Sequence, residues 1–305
     1  MGSQRRKNLR ILIYNLNEEK DGNGLFSSFF VVCESNHLNR NIIITVINMY
    51  LTLKLRRKIV IVLASILFAA VLAGFLCVVP VNSQSRKIPI YKVGTDEKTV
   101  ALTFNCADGD EDVVSILTTL DKYNIKATFF PLGIWIDAHP DSLKKIFERG
   151  HEIGNHSYSH ADCVQLSRTE IYDEIMKCNE CVKSITGSYP TLFRSPSGSY
   201  DNKTIETAQS AGMIPIQWSV DSVDWRNNSQ DEIFSRVVDK VSCGAIIQFH
   251  TGTANTAGVL ERIITALKEK GYSFKTVGEL IYSAPYRIDH AGVQYKIEEP
   301  KSSRQ

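Results

Sequence analysis

The sequence predicts one parallel α/β domain, built either as a barrel or as a doubly wound sheet. The first observation is that short apolar runs alternate with amphipathic helical patterns after residue 96, as in folds made of repeated strand and helix units. The second is that polar side chains follow the strands at their carboxyl ends. The chain has 305 residues, 43% of them hydrophobic, which is enough to bury a core of this kind.

Seven apolar runs have the length and the β-branched or aromatic content of strands. They lie at residues 99–104, 127–131, 152–155, 191–194, 213–219, 245–249 and 273–276. Helical patterns alternate with them at residues 112–123, 140–149, 168–186, 202–211, 230–241, 258–270 and 277–282. The sequence therefore predicts about seven strand–helix units in one domain at 97–284, followed by a C-terminal tail at 285–305.

An uncharged apolar run precedes the domain, at residues 59–79. At a rise of about 1.5 Å per residue it can cross a hydrocarbon core of roughly 30 Å. Lys54 and the basic residues 56–58 lie just before it, so the positive-inside rule places the N-terminus in the cytoplasm and the domain outside the cell. We therefore expect a protein of the cell membrane, with one transmembrane helix as an anchor and an extracellular catalytic domain.

The remaining boundaries follow from this span. The run is longer than the apolar core of a cleaved signal peptide, so a signal-anchor is predicted at 59–80, with a polar linker at 81–96. Residues 1–58 form either a cytoplasmic tail or a misassigned start, because Met49 lies just ahead of the basic cluster.

Charge and cysteine content exclude two kinds of site. The formal net charge is only +2, and the basic residues cluster near the N-terminus rather than along a recognition helix, so we expect no nucleic-acid partner. Cys178 and Cys181 lie inside a helical pattern with no second cysteine pair, which favours packing positions over a structural zinc site.

Two histidines four residues apart, His156 and His160, follow the third predicted strand. Both imidazoles can leave the strand end and converge on one metal ion. Such a pair alone also fits two solvated loop histidines. Other polar residues follow neighbouring strands: Asn105, Asp108, Arg194, Asp221, Asp224 and His250. In a barrel these strand ends share one face, so the residues would meet at one site.

Five motifs in order resemble one known family. They are Thr103-Phe104-Asn105 with Asp108-Gly109, Asn155-His156-Ser157-Tyr158-Ser159-His160, Phe193-Arg194-Ser195-Pro196-Ser197-Gly198, Asp221-Ser222-Val223-Asp224-Trp225, and Gln248-Phe249-His250. The segment resembles the metal-dependent polysaccharide deacetylases of carbohydrate esterase family four, which carry a nodulation-protein-type deacetylase domain. The resemblance covers residues 97–283 and implies a distorted (β/α) barrel that hydrolyses N-acetyl groups of amino-sugar polysaccharides such as peptidoglycan or chitin.

The resemblance also implies roles for individual residues. His156 and His160 would hold a divalent metal, with Zn²⁺ as the first choice, together with a carboxylate. His250 would be the acid that protonates the leaving nitrogen, Asp224 would orient it, and Arg194 would orient the base. Trp225, Pro196 and Gly198 would contact the sugar.

The first motif departs from the family pattern, in which two aspartates act as base and metal ligand. Asn105 stands at the position of the base, and an amide cannot accept a proton at neutral pH. Cys106 aligns with the ligand, either as a thiolate or as a small buried residue. Asp108 or Asp112 could replace the missing carboxylate, and we expect Asp108 to do so.

Three functions remain open from the sequence. The first is a membrane-anchored deacetylase of cell-wall amino sugars. The second is a catalytically weak or inactive relative that binds glycan at the cell wall, which the amide at Asn105 favours. The third is a metallohydrolase of a non-sugar amide, which Trp135, Trp218 and Trp225 argue against because aromatic rings suit a sugar platform.

Overall fold

A computed structural model describes residues 12–14, 30–32, 40–78, 85–226 and 228–297. The chain divides into two compact units, Met1–Ser83 and Gln84–Gln305. In the first unit, β1 (Leu12–Tyr14) pairs antiparallel with β2 (Phe30–Val32), and α1 (Arg40–Val78) is a helix of 39 residues.

The apolar run at 59–79 falls within α1, except for its last residue. Within the described ranges, none of the helices is both long enough and apolar enough to cross a membrane. The structure therefore does not support the transmembrane signal-anchor predicted at 59–80.

The second unit contains the predicted alternation of strands and helices. Its strands are β3 (Lys92–Val93), β4 (Thr99–Cys106), β5 (Thr128–Pro131), β6 (Glu152–Ile153), β7 (Leu192–Phe193), β8 (Ile214–Pro215), β9 (Val220–Asp221), β10 (Ile246–His250), β11 (Ser273–Phe274), β12 (Tyr286–Ile288) and β13 (Val293–Lys296). Its helices are α2 (Val113–Lys122), α3 (Gly133–Ala138), α4 (Pro140–Glu148), α5 (Arg168–Thr186), α6 (Asn202–Ser210), α7 (Gln230–Val238), α8 (Thr256–Glu269) and α9 (Val277–Leu280).

The central sheet is parallel and runs in the order β6-β5-β4-β10-β9, with β11 also pairing with β4. The parallel pair β7-β8 is joined to this frame by the bridge Asn155↔Phe193, and the bridge Ile90↔Ile216 continues the order. The α/β class with a parallel sheet, predicted from the alternation of elements, is confirmed.

The strand β4 forms the centre of the core because all eight of its residues are buried. Phe104 stacks between Phe129 and Phe249, at ring-centroid distances of 4.9 and 5.5 Å. Since β4 and β10 lie side by side, their register pairs Asn105 with His250 at the carboxyl end of the sheet. The core thus fixes the position of two predicted site residues.

The structure differs from the predicted elements in three places. The run predicted as one strand at 213–219 ends at Pro215, and a separate strand, β9, follows it. The linker and the C-terminal tail contain ordered strands, because β12 and β13 form a hairpin whose second strand pairs with β3. These segments lack strong periodicity, and pairing with each other together with burial of Val93 and Gln294 stabilises them. Residues 298–305 of the predicted tail lie outside the described residues.

Candidate active site

A cavity of about 660 Å³ opens at the carboxyl ends of the parallel strands. Six of the predicted site residues line it: Asn105, Asp108, His156, His160, Trp225 and His250. Trp225 is 50% exposed and has the Arg226 guanidinium 4.6 Å from its ring, so it presents a flat apolar wall at the cavity mouth.

Asp224 and His250 form a tightly bonded pair beneath the cavity. The His250 ring donates from Nδ1 to Asp224 Oδ1 at 2.8 Å, and the His250 backbone N–H donates to Oδ2 at 2.8 Å. The Thr256 hydroxyl donates to Oδ2 as well, at 2.5 Å. This arrangement fixes the tautomer of His250 and leaves its Nε2 toward Asn105, which is 3.5 Å away.

The pKa of Asp224 reflects these contacts. Burial alone raises it, but the hydrogen bond and charge of His250, together with the Thr256 hydroxyl, outweigh burial and hold it below its ordinary value. Asp224 is therefore ionised at neutral pH and stabilises a positive charge on His250.

Arg194 is fully buried behind the cavity. Its Nη1 donates to Thr103 Oγ1 at 2.9 Å and to Asn105 Oδ1 at 3.0 Å, and Nη2 donates to the Gln217 carbonyl at 3.2 Å. The guanidinium also lies 4.1 Å from the centre of the Phe130 ring. Burial lowers its pKa to about 9. Its hydrogen bonds within the described residues go to neutral oxygens, which compensate a buried cation less well than a carboxylate.

Asn105 lies between this cation and the cavity. Its side chain is 3% exposed, its oxygen accepts from Arg194, and its amide group donates to Gln248 Oε1 at 3.3 Å. The position thus keeps the hydrogen-bond surroundings of a carboxylate, while its own side chain is neutral.

His156 and His160 lie at the other side of the cavity, with ring centroids 5.2 Å apart. His156 Nδ1 donates to the Arg194 carbonyl at 2.8 Å, which leaves Nε2 unprotonated. Burial is the main cause that lowers the pKa of both histidines, and the charge of Asp108 partly opposes it at His160. Two neutral imidazoles with available lone pairs fit a divalent cation such as zinc.

The complete metal-ligand set predicted from the sequence is not assembled. Over the described residues, the structure has no group of three or more His, Cys, Asp or Glu side chains placed to hold a metal. Asp108 lines the cavity near His160. Asp112 is not among the residues that line the cavity, and its Oδ1 accepts the Gly252 backbone N–H at 2.7 Å on the β10–α8 loop. Its role as a ligand stays a prediction.

Three further predictions concern residues that lie beside the cavity rather than on it. Cys106 is buried, and burial raises the pKa of its thiol, so it is a packing residue rather than a thiolate ligand. Pro196 and Gly198 flank Ser197, which does line the cavity. Gly198 has φ of 69°, and a Cβ there would come within 2.9 Å of the Trp218 ring, so the turn requires glycine at this position. The contact of Pro196 and Gly198 with the sugar stays a prediction.

Four further polar or aromatic residues line the cavity: Ser197, Trp218, Asp221 and Gln248. Asp221 was expected at the site because it follows a strand, and Trp218 was expected as part of a sugar platform. Ser197 and Gln248 lie in two of the motifs but were given no role from the sequence. Gln248 lies near the end of β10, where polar residues carry function in such folds, and this signal could have identified it.

Comparison with known proteins supports the resemblance in the motifs. The sequence profile of the polysaccharide deacetylase family matches residues 92–216. The protein YlxY of Bacillus subtilis is 40% identical over 193 residues, which is 63% of this chain and 60% of YlxY. The peptidoglycan-N-acetylmuramic acid deacetylase PdaA of Bacillus subtilis is 32% identical over 212 residues, which is 68% of this chain and 81% of PdaA. The chain therefore spans less than two thirds of YlxY.

Among solved structures, BA3943 from Bacillus anthracis, a CE4 family pseudoenzyme, is similar to this chain with a TM-score of 0.61 and 38% identity. The match covers 63% of this chain and 68% of BA3943. A mutant of BA3943 with restored enzymatic activity matches with the same TM-score and identity over 70% of its length.

Proposed function

Because the chain belongs to the polysaccharide deacetylase family, carbohydrate esterase family four, we propose that it hydrolyses N-acetyl groups on amino-sugar polymers of the cell wall, peptidoglycan first among them. The observation that carries the proposal is that the Asp224–His250 pair and the histidines His156 and His160 meet in one cavity. We further propose that the parallel sheet is a distorted (β/α) barrel, which the bridges at Asn155 and Ile90 support.

The side chains divide the reaction between them. His250, charged and held by Asp224, donates a proton from Nε2 to the departing sugar nitrogen, since an amide nitrogen does not leave as an anion. Trp225 offers its exposed face to a sugar ring. The closed floor around Arg194 and Phe130 excludes water from the side of the cavity that faces the core.

A divalent metal ion, with zinc as the first candidate, is part of the proposal. His156 and His160 would hold it, with Asp108 as the nearest carboxylate in the cavity. When bound, such an ion polarises the acetyl carbonyl and acidifies water.

Removal of both imidazoles tests the metal proposal. We expect the double variant His156→Ala, His160→Ala to lose stoichiometric metal, measured by elemental analysis of purified protein. His290→Ala is the matched control because His290 lies on the loop between β12 and β13, and it should keep the metal. Undiminished metal in the double variant would rule out these ligands.

A second candidate function is a catalytically weak or inactive protein that binds cell-wall glycan. Asn105 favours it, because the residue at the position of the base is an amide. The similarity to the pseudoenzyme BA3943 also favours it.

Acetate release separates the two functions. The purified protein, with and without added zinc, is incubated with peptidoglycan and with chitin oligomers, and released acetate is measured. Release that disappears in His250→Ala supports the deacetylase. Glycan binding without acetate release, in a protein that carries metal, supports the binding protein.

We also infer that the second unit works outside the cytoplasmic membrane. The peptidoglycan substrate named for PdaA supports this location. The inference does not depend on a membrane anchor. Protease added to intact protoplasts should digest the domain, or the domain should leave with the medium; a fully protected domain would contradict this location.

A further inference from the structure

Within the part of the chain that the structure describes, the buried guanidinium of Arg194 has no directly bonded carboxylate. It contacts Thr103, Asn105 and the Gln217 carbonyl, and its Nε has no hydrogen-bond partner among the described residues. A fully buried cation is costly unless a negative charge lies near it. The acidic side chains that line the cavity are the candidates for this negative charge.

Asp221 lies on the same side of the sheet as the Arg194 contacts. Strand β9 pairs Asp221 with Gln248 of β10, and β10 pairs Gln248 with Thr103 of β4. Residues paired across neighbouring parallel strands point to the same face of the sheet. Asp221 therefore shares a face with Thr103, which accepts a hydrogen bond from the Arg194 guanidinium. Its charge raises the pKa of Arg194 and so opposes the larger effect of burial.

The turn after β9 directs two carboxylates to the site. Asp221 Oδ1 accepts the Val223 backbone N–H at 2.9 Å, and Val223 has φ of 53°. This conformation is unfavourable for a β-branched residue, and strain of this kind concentrates at functional sites. The turn places Asp224 against His250 and leaves Asp221 on the cavity wall.

The two carboxylates that line the cavity have different neighbours. Asp108 interacts with His160, on the side of the proposed metal. Asp221 interacts with Arg194, on the side of position 105. A carboxylate beside histidines suits metal binding, whereas a carboxylate beside the arginine has the surroundings of a base.

We propose that Asp221 accepts the proton of the attacking water in this chain, in place of the carboxylate missing at position 105. The role rests on the proposed deacetylase function. The water oxygen forms a bond to the acetyl carbon and its proton passes to Asp221. The carbon–nitrogen bond then breaks as His250 gives its proton to the nitrogen, which yields the amine and acetic acid. Asp221 and the acetic acid lose their protons to solvent, and His250 regains one.

A double-mutant cycle on the full chain tests this role. Asp221→Asn keeps an oxygen for the Val223 N–H and removes only the proton acceptor. We expect it to lower kcat for acetate release from peptidoglycan by at least about 10-fold with KM little changed. In the Asn105→Asp background the same change should lower kcat less than about 3-fold, because the introduced carboxylate makes Asp221 redundant. Asp239→Asn, an exposed carboxylate at the end of α7, is the matched control.

The other outcomes overturn the role in distinguishable ways. An unchanged kcat in Asp221→Asn rejects it, and a change in KM alone identifies a sugar-binding residue instead. If the natural chain is inactive and Asn105→Asp is active, no carboxylate replaces the base; the inference fails while the deacetylase site stands. If neither chain releases acetate, the proposed function itself fails, and the inference fails with it.

Discussion

Asn105→Asp is expected to raise the deacetylation rate by about 10²-fold, because a positioned base contributes roughly 10²–10⁴-fold to such reactions. The oxygen at this position already accepts from Arg194 at 3.0 Å, so an introduced carboxylate is oriented by the same bond. Asp221 makes no such direct bond to the guanidinium among the described residues, so it is less well oriented to accept the proton. The measurement is kcat for acetate release from peptidoglycan.

The same substitution should also stabilise the fold, since it gives the buried guanidinium a direct counter-charge. The melting temperature should therefore rise with activity. Gln248→Glu is the matched control because it introduces a carboxylate into the same cavity without contact to Arg194. A rise in activity with both variants would show that any added negative charge suffices, and no rise with either would mean that position 105 does not limit the reaction.

Asp224→Asn is expected to lower kcat by about 10²-fold or more in the Asn105→Asp background, where activity is highest. The carboxylate accepts both the ring N–H and the backbone N–H of His250 at 2.8 Å. An amide in its place no longer stabilises the charged imidazole that protonates the leaving nitrogen. Steady-state kinetics should show the loss in kcat rather than in KM.

The pH dependence of that loss follows from the sign of the pKa shift. The pKa of Asp224 lies below its ordinary value, so the carboxylate is ionised through the neutral range, and its stabilising contribution is lost only as pH falls through that lowered pKa. Titration of Asp224 itself should therefore not change the size of the loss within the neutral range. Thr256→Val, which removes one hydroxyl donor to Asp224, should cost far less, and Asp96→Asn on the surface should cost nothing. An equal loss in all three variants would contradict the role.

Sequence reasoning located the site because its residues follow strand ends, a place that the chain order reveals. His156, His250 and Asn105 were expected at one face and share one cavity. It did not reveal the contacts of Asp112, since the sequence places this carboxylate at the start of a helix but cannot show that the Gly252 N–H on a distant loop donates to it. Contacts between loops depend on backbone paths that residue patterns do not encode.

The elements of the fold were likewise predicted only in part. Strands with strong apolar patterns, such as β4 and β10, were located within a few residues, because burial on both faces leaves a continuous apolar run. The hairpin of β12 and β13 was missed, since its residues show no apolar alternation and the residue it buries most deeply, Gln294, is polar. The apolar run at 59–79 shows the opposite failure, in which a strong pattern led to a membrane span that the described structure does not support.

The retained surroundings of Arg194 have a consequence for how this site can change over generations. Codons for asparagine and aspartate differ by a single nucleotide, and the guanidinium that would hold a carboxylate at position 105 is already in place. A point mutation in the gene therefore reaches the charged side chain, and the contact that has to adjust is the one with Gln248, whose Oε1 accepts from the Asn105 amide. A negative charge at this position stays one nucleotide away for as long as the guanidinium is buried beside it.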